Sequence, residues 1–199
     1  MATQAERRAA TIRAILDAAR RLFVAHGFAN TSIDAIAEQA GVAKGAVYHH
    51  FDSKEQIFHR VFEEMTGDLA SRIPPAARAG KDLLDRIARG TLKYLATISS
   101  DEFRQVLLID GPAVLGWQKW REIDQRYFGA TMQGPIDPAV RARVSDREIE
   151  ALGHLIAGAM TEAALVCATS ENRQRTARDL SAALVRMLAQ FVGPRAGDN

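Results

Sequence analysis

The 199-residue chain has one cysteine, Cys167, and only six prolines. A lone thiol cannot close an internal disulfide, so packing alone must hold the fold, and a reducing, cytoplasmic setting is expected. No window approaches the ~18 uninterrupted apolar residues that mark a membrane-spanning helix, and none is expected. The first fifteen residues, MATQAERRAATIRAI, lack the apolar run and cleavage-type site of a secretory signal. Strand-like alternation is nearly absent as well. So are a phosphate-cradling glycine loop, a metal-spaced Cys/His cluster and a nucleophile beside a base, and neither an enzyme nor a cofactor or metal site is expected. The adjacent His49 and His50 have no further ligands nearby.

Charge of one sign is also scarce, with a net of +2, but its placement is uneven. Residues 1–60 hold eight Lys or Arg against six Asp or Glu, so the whole excess lies there, together with four of the five histidines. A small basic N-terminal module on a neutral body suits a polyanion partner, although a solvated charged surface gives the same count.

What the chain does have is apolar residues spaced three and four apart along nearly its whole length, which predicts an all-α fold. A first helix is expected over about 9–26, stopped by Gly27. A second starts after Thr31, read as its cap, and stops at Gly41. A third, short helix covers about 44–50, and a fourth begins at Ser53 with Gln56 placed for a capping box. Pro74–Pro75 is expected to end the fourth helix. Further helices are expected over about 81–98, 102–109 (broken at Gly111–Pro112) and 116–128, then a loop over 129–144. Two long helices close the chain, about 146–169 behind a Ser145/Glu148 capping box and about 174–192. Both carry apolar residues on more than one side and need cover on more than one side. Leu152, Ile156, Leu180, Leu184, Leu188 and Phe191 are the expected contacts with a second copy of the chain; burial within a monomer is the competing explanation.

Two short helices around a glycine turn at residues 32–51 form the pattern by which a helix-turn-helix offers one helix to a DNA groove. At Thr31 to Lys54 the sequence resembles the tetracycline-repressor (TetR) family of bacterial transcription regulators. The residues that carry the resemblance are T-S-I-D-A-I-A at 31–37, A-G-V at 40–42, K-G-A-V-Y-H-H-F at 44–51 and S-K-E-Q-I-F at 53–58, preceded by L-F-V-A-H-G-F at 22–28. The likeness covers about residues 9–65. It implies a helix-turn-helix DNA-binding domain over 8–68 and a C-terminal ligand-binding and dimerisation domain over 76–193. It also implies a homodimer formed through the last two helices, and a double-stranded operator that is an inverted repeat. Ala43 departs from the pattern, since the family often has serine or threonine there.

On the short third helix Val47 and Phe51 are spaced to face the core. Lys44, Gly45, Ala46, Tyr48 and His49 fall on the outer side. The small Gly45 and Ala46 let backbone approach the groove floor, and the Ala46 methyl can touch a thymine methyl. Tyr48 is expected to place its hydroxyl on a phosphate, His49 to donate to a phosphate or a base edge, and His50 to support them or contact the DNA backbone. Lys54 is expected to aim outward at a phosphate from the first turn of its helix, and Thr31 to combine capping with a phosphate contact.

The signal is less legible. Aromatic residues concentrate at Trp117, Trp120, Tyr127 and Phe128, and with Phe103, Leu107 and Met160 they suggest a pocket between helices for a small apolar or aromatic effector. Tyr94, Asp110 and His154 are its expected polar members. Ordinary core aromatics explain any single one of these residues equally well. The resulting expectation is a repressor released from its operator by a ligand. The alternative is a DNA-binding regulator without a small-molecule ligand, controlled by a protein partner.

Overall fold

The computed structural model describes residues 3–132 and 144–192, and every described regular element is helical. The order is α1 Gln4–His26, α2 Ile33–Ala40, α3 Lys44–His50, α4 Lys54–Arg78, α5 Leu83–Ile98, a π-helical segment Arg104–Asp110, α6 Gly111–Leu115, α7 Trp117–Met132, α8 Asp146–Thr169 and α9 Arg173–Val192. Most of the loop expected over 129–144, and the side chain of Phe191, lie outside the described residues.

The helix ends follow local chemistry. α1 starts five residues before the expected Ala9, because Thr3 and Glu6 form a reciprocal capping box: Glu6 Oε2 accepts from the Thr3 N–H at 2.6 Å and Thr3 Oγ1 from the Glu6 N–H at 3.2 Å. The Ser145/Glu148 box opens α8 in the same way. α2 ends at Gly41, whose φ of 68° is left-handed and therefore suits glycine.

Two expected breaks are absent. α4 runs through Pro74 and Pro75 to Arg78. The two prolines remove N–H groups that would bind the carbonyls of Ala70 and Ser71, but Ser71 and Pro75 are exposed, so that side of the helix has water for the freed acceptors. Packing holds the far side: Ile73 is buried, and a Cβ built on Gly90 of α5 would lie 3.5 Å from Ala77 and 3.7 Å from Ile73. Gly111–Pro112 does not interrupt the chain either. It starts α6, with proline in the first turn where a missing donor is harmless. The interruption comes at Gly116, with φ 75°.

The chain forms two compact units, neither contiguous in sequence: Met1–Gly67 with Asp101–Ile123, and Asp68–Ser100 with Asp124–Asn199. In the first, Phe23, Phe58 and Phe62 join Ile15, Ile36, Val47, Val61 and Met65 in the buried core. The Phe58 ring meets Phe23 edge-on at 5.2 Å and Phe28 at 5.2 Å. The surprise against the expected 8–68 division is the 101–123 segment. Phe103, Val106, Leu107, Trp120 and Ile123 are buried, the π segment packs on α1, and Arg20 of α1 pairs with Glu102 at 2.8 Å. In the second unit α5, α8 and α9 pack together, and Ser181 of α9 donates to the Ala88 carbonyl of α5 at 3.1 Å. By length and composition alone α8 is apolar enough to cross a membrane, although no single apolar run in the sequence announces it. Its buried side is Met160, Ala164, Cys167 and Ala168.

Candidate nucleic-acid interface

The recognition helix α3 is seven residues long, too short to persist by itself. Val47, fully buried, and Phe51, nearly so, anchor it to the core, as their spacing predicts. With those two turned inward, Lys44, Gly45, Tyr48 and His49 are exposed, Ala46 is half-buried, and Tyr48 keeps 51% of its surface. A Cβ on Gly45 would meet no described atom within 4 Å, so the backbone there is open to a groove. Ala43 occupies the cap position of α3 without any side-chain cap bond.

Lys44 is exposed and paired with Asp34 of α2 at 2.8 Å. The hydrogen bond and charge of Asp34 hold its ammonium above the ordinary lysine range. His50 is held below the usual histidine range, by burial first and then by the charges of His49 and Arg8. Its Nδ1 is buried with no hydrogen-bond partner among the described residues. Arg8 is thereby a cation whose charge reaches His50 and that reading from Ala9 misses; the T-Q-A-E cap signal at residues 3–6 carried the information.

Two of the expected DNA contacts face inward. Thr31 is only 3% exposed, and its hydroxyl donates to the Gly27 carbonyl at 2.8 Å. The cap of α2 is Ser32, whose Oγ accepts from the Ala35 N–H at 3.1 Å. Lys54 is not aimed outward: its Nζ donates to the carbonyls of Phe28 at 2.8 Å and Thr31 at 2.7 Å and stands 4.1 Å from the Phe28 ring centroid. An ammonium that finds two carbonyls and an aromatic face is better held there than hydrated at a helix N-terminus that repels it.

The nine residues expected around an effector divide between the units. Phe103, Leu107, Asp110, Trp117 and Trp120 belong to the first. Trp120 is buried with its indole N–H on the Leu107 carbonyl, while Trp117 stacks on it at 5.0 Å and is 62% exposed. Asp110 is taken up by the turn after α1, where Oδ2 accepts from the Phe28 N–H at 2.8 Å, so its duty there is structural. Tyr94, Tyr127, His154 and Met160 belong to the second unit. Tyr94 is buried edge-on against Phe128 at 5.6 Å, and burial, with Asp124 adding, pushes its phenol well above the usual tyrosine range. His154 is exposed on α8 beside Leu155, so among the described residues it lines no interior site.

A short, core-anchored helix that offers small and hydrogen-bonding residues to solvent beside a glycine turn defines a helix-turn-helix DNA-binding protein. Residues 15–61 match the family described as bacterial regulatory proteins, tetR family, and residues 84–191 match the tetracyclin repressor-like C-terminal domain. That second match alone covers more than half of the chain, and the chain belongs to the tetR family of transcription regulators, which are not enzymes. The HTH-type transcriptional repressor KstR2 of Rhodococcus jostii (strain RHA1) is 35% identical over 85 residues, 43% of this chain, which thus spans only 39% of that relative's length. The transposon Tn10 TetC protein of Escherichia coli is 26% identical over 151 residues, 74% of this chain and 73% of its own. Among solved structures, a TetR-family transcriptional regulator from Pectobacterium atrosepticum superposes with a TM-score of 0.71 at 28% identity, over 98% of this chain and 100% of that one.

Proposed function

We propose that the protein is a homodimeric, cytoplasmic repressor that binds an inverted-repeat duplex operator through α3 and is released by a small apolar or aromatic ligand. The observation that carries the DNA reading is the division of α3 into a buried side, Val47 and Phe51, and an open side. On that open side Lys44, Tyr48 and His49, with His50 and Arg8 at the margin, hold or orient on phosphates, and Gly45 and Ala46 admit the backbone to the groove. Thr31 and Lys54 drop out of this set.

Dimerisation is supported by the second unit. α8 leaves Leu155 at 70%, Leu165 at 40% and Val166 at 40% exposure, and α9 leaves Met187 at 62%. A Cβ on Gly158 would meet no described atom within 4 Å, so a neighbouring backbone has room to approach. Two long helices with apolar residues in water are covered most economically by the same two helices of a second copy. The effector reading rests on the buried aromatic pair Tyr94 and Phe128 in the same unit. A ligand releases DNA only by binding the DNA-incompetent arrangement more tightly.

The test is selection of duplexes from random sequence by the purified protein, followed by titration of the selected site against a panel of aromatic and fatty ligands. Expected are an inverted repeat, two chains per site, and ligand-dependent loss of binding. Recovery of no preferred duplex would refute the DNA reading. Binding indifferent to every ligand while a protein partner dissociates the complex would move control to that partner.

A further inference from the structure

Phe28 is the first residue past the Gly27 stop of α1, and its backbone is gripped from both sides. Its N–H donates to Asp110 Oδ2 at 2.8 Å, and its carbonyl accepts from Lys54 Nζ at 2.8 Å. The same ammonium holds the Thr31 carbonyl at 2.7 Å and lies 4.1 Å from the Phe28 ring centroid. That ring packs against Phe23 at 5.8 Å and Phe58 at 5.2 Å. The second Asp110 oxygen accepts from Gln105 Nε2 at 3.1 Å. Nothing larger than glycine fits beside this group without adjustment, since a Cβ on Gly27 would stand 3.1 Å from Gln105 Nε2 and 3.4 Å from Asp110 Oδ2. One residue of a short turn thus receives a carboxylate on its N–H and an ammonium on its carbonyl, from segments far away in sequence.

Both groups spend hydration to do this, and only well-made, charge-assisted hydrogen bonds offset that cost. Two of the three Lys54 donors are used on carbonyls. A lysine kept for phosphate would leave them in water. Ser32, the cap of α2, follows Thr31 directly, so the two held carbonyls fix where α2 begins, and α2 carries α3 through the Gly41 turn. On the other side Asp110 is the last residue of the π segment. A π-helical run spends more residues per turn than an α-helix, so a change of register there would displace its last carboxylate.

We propose that Lys54 and Asp110 are positioning residues for operator binding, acting through the two ends of Phe28, and that Lys54 neutralises no phosphate. The proposal rests on the DNA-binding reading above. A phosphate contact and a positioning contact differ in one measurable way. Removing a phosphate-neutralising cation lowers the slope of log affinity against log salt by about 0.9, whereas a misplaced recognition helix binds more weakly at every salt concentration with the slope retained.

The experiment measures affinity for the selected duplex between low and moderate salt, with the full-length protein and its Lys54→Met, Lys54→Arg, Asp110→Ala and double Lys54→Met/Asp110→Ala variants, each checked by circular dichroism. Lys54→Met and Asp110→Ala are each expected to weaken binding roughly tenfold, the loss of a charge-assisted hydrogen bond, with helicity and salt slope retained. Lys54→Arg recovers most of the loss, because a guanidinium can serve two carbonyls. The double variant is expected to lose little more than the weaker single one, since both act on the same turn. Lys54→Gln and Asp110→Asn, which keep a hydrogen-bonding group, replace any variant that fails to fold. A slope lowered by about 0.9 in Lys54→Met, or losses that simply multiply in the double variant, would overturn the clasp while leaving DNA binding intact. Absence of any duplex binding by the unaltered protein would overturn both.

Discussion

Ser32 and Ala43 occupy the same place, one residue ahead of a helix, and only Ser32 supplies a hydroxyl. Ala43 already has the extended backbone a cap requires, with φ −67° and ψ 146°. Ala43→Ser should therefore stabilise the protein by about 1 kcal/mol, and a thermal melt should rise by about 2–4 °C. Tyr48→Ala removes an exposed ring, so the melt should stay where it is. Affinity should fall about fivefold for all operator variants alike, as loss of one hydrogen bond to backbone phosphate requires; a loss confined to one base position would make Tyr48 a base reader. His50 carries a pH signature. Its folded-state value lies below the ordinary histidine value of 6.5, so well above 6.5 neither state binds a proton and nothing is lost to this group. As pH falls below that point the unfolded chain takes up the proton first, and stability is lost until the folded value is passed. A melt at pH 5.5 should lie below one at pH 7.5, and His50→Gln should shrink the difference. At this scale the sequence is legible where spacing decides, as for Val47 and Phe51. It is not where two neighbours offer the same group. Thr31 and Ser32 are both good caps, and only the burial of Thr31 against the Gly27 carbonyl selects the other. Nor does a lysine declare whether it will meet phosphate or carbonyl.

The bounds of α2 and α3 and the starts of α8 and α9 were readable from sequence to within a residue or two. The start of α1 and the breaks expected at two proline-containing sites were not. Pro74–Pro75 and Gly111–Pro112 both sit inside helical stretches, because the cost of a missing N–H depends on whether the freed carbonyl reaches water and on what the next turn packs against. The π segment has no local pattern that separates it from an α-helix. Its end is nonetheless tightly specified. A Cβ on Gly111 would lie 2.5 Å from the buried Phe62 ring, 3.1 Å from the Val106 carbonyl and 3.2 Å from Trp120. Gly111→Ala should cost about 1–3 kcal/mol as overpacking, in spite of the better helix propensity of alanine, and urea unfolding should show it as a lowered midpoint.

For the whole molecule the family and the all-helical fold were legible, since they rest on long, contiguous patterns. The grouping of helices was not, because the aromatics of 103–120 read equally well as an effector pocket and as core, and two of the three, Phe103 and Trp120, are buried in the N-terminal unit. The outer apolar side of α8 makes a prediction at this scale. Leu155→Arg should leave the circular dichroism spectrum unchanged, halve the mass seen by light scattering, and weaken operator binding by at least tenfold, since a single chain engages one half-site.

The discontinuous first unit bears on how regulators of this architecture can be recombined. A chimera cut within α4 would move α1–α3 without residues 101–123. It would separate Arg20 from Glu102 and the Phe28 N–H from Asp110, and uncover the side of α1 on which the π segment packs. Transplanting the DNA specificity of this protein onto another regulator therefore means carrying two pieces of chain, and an exchange of the first 67 residues alone inherits the recognition helix without the segment packed on α1.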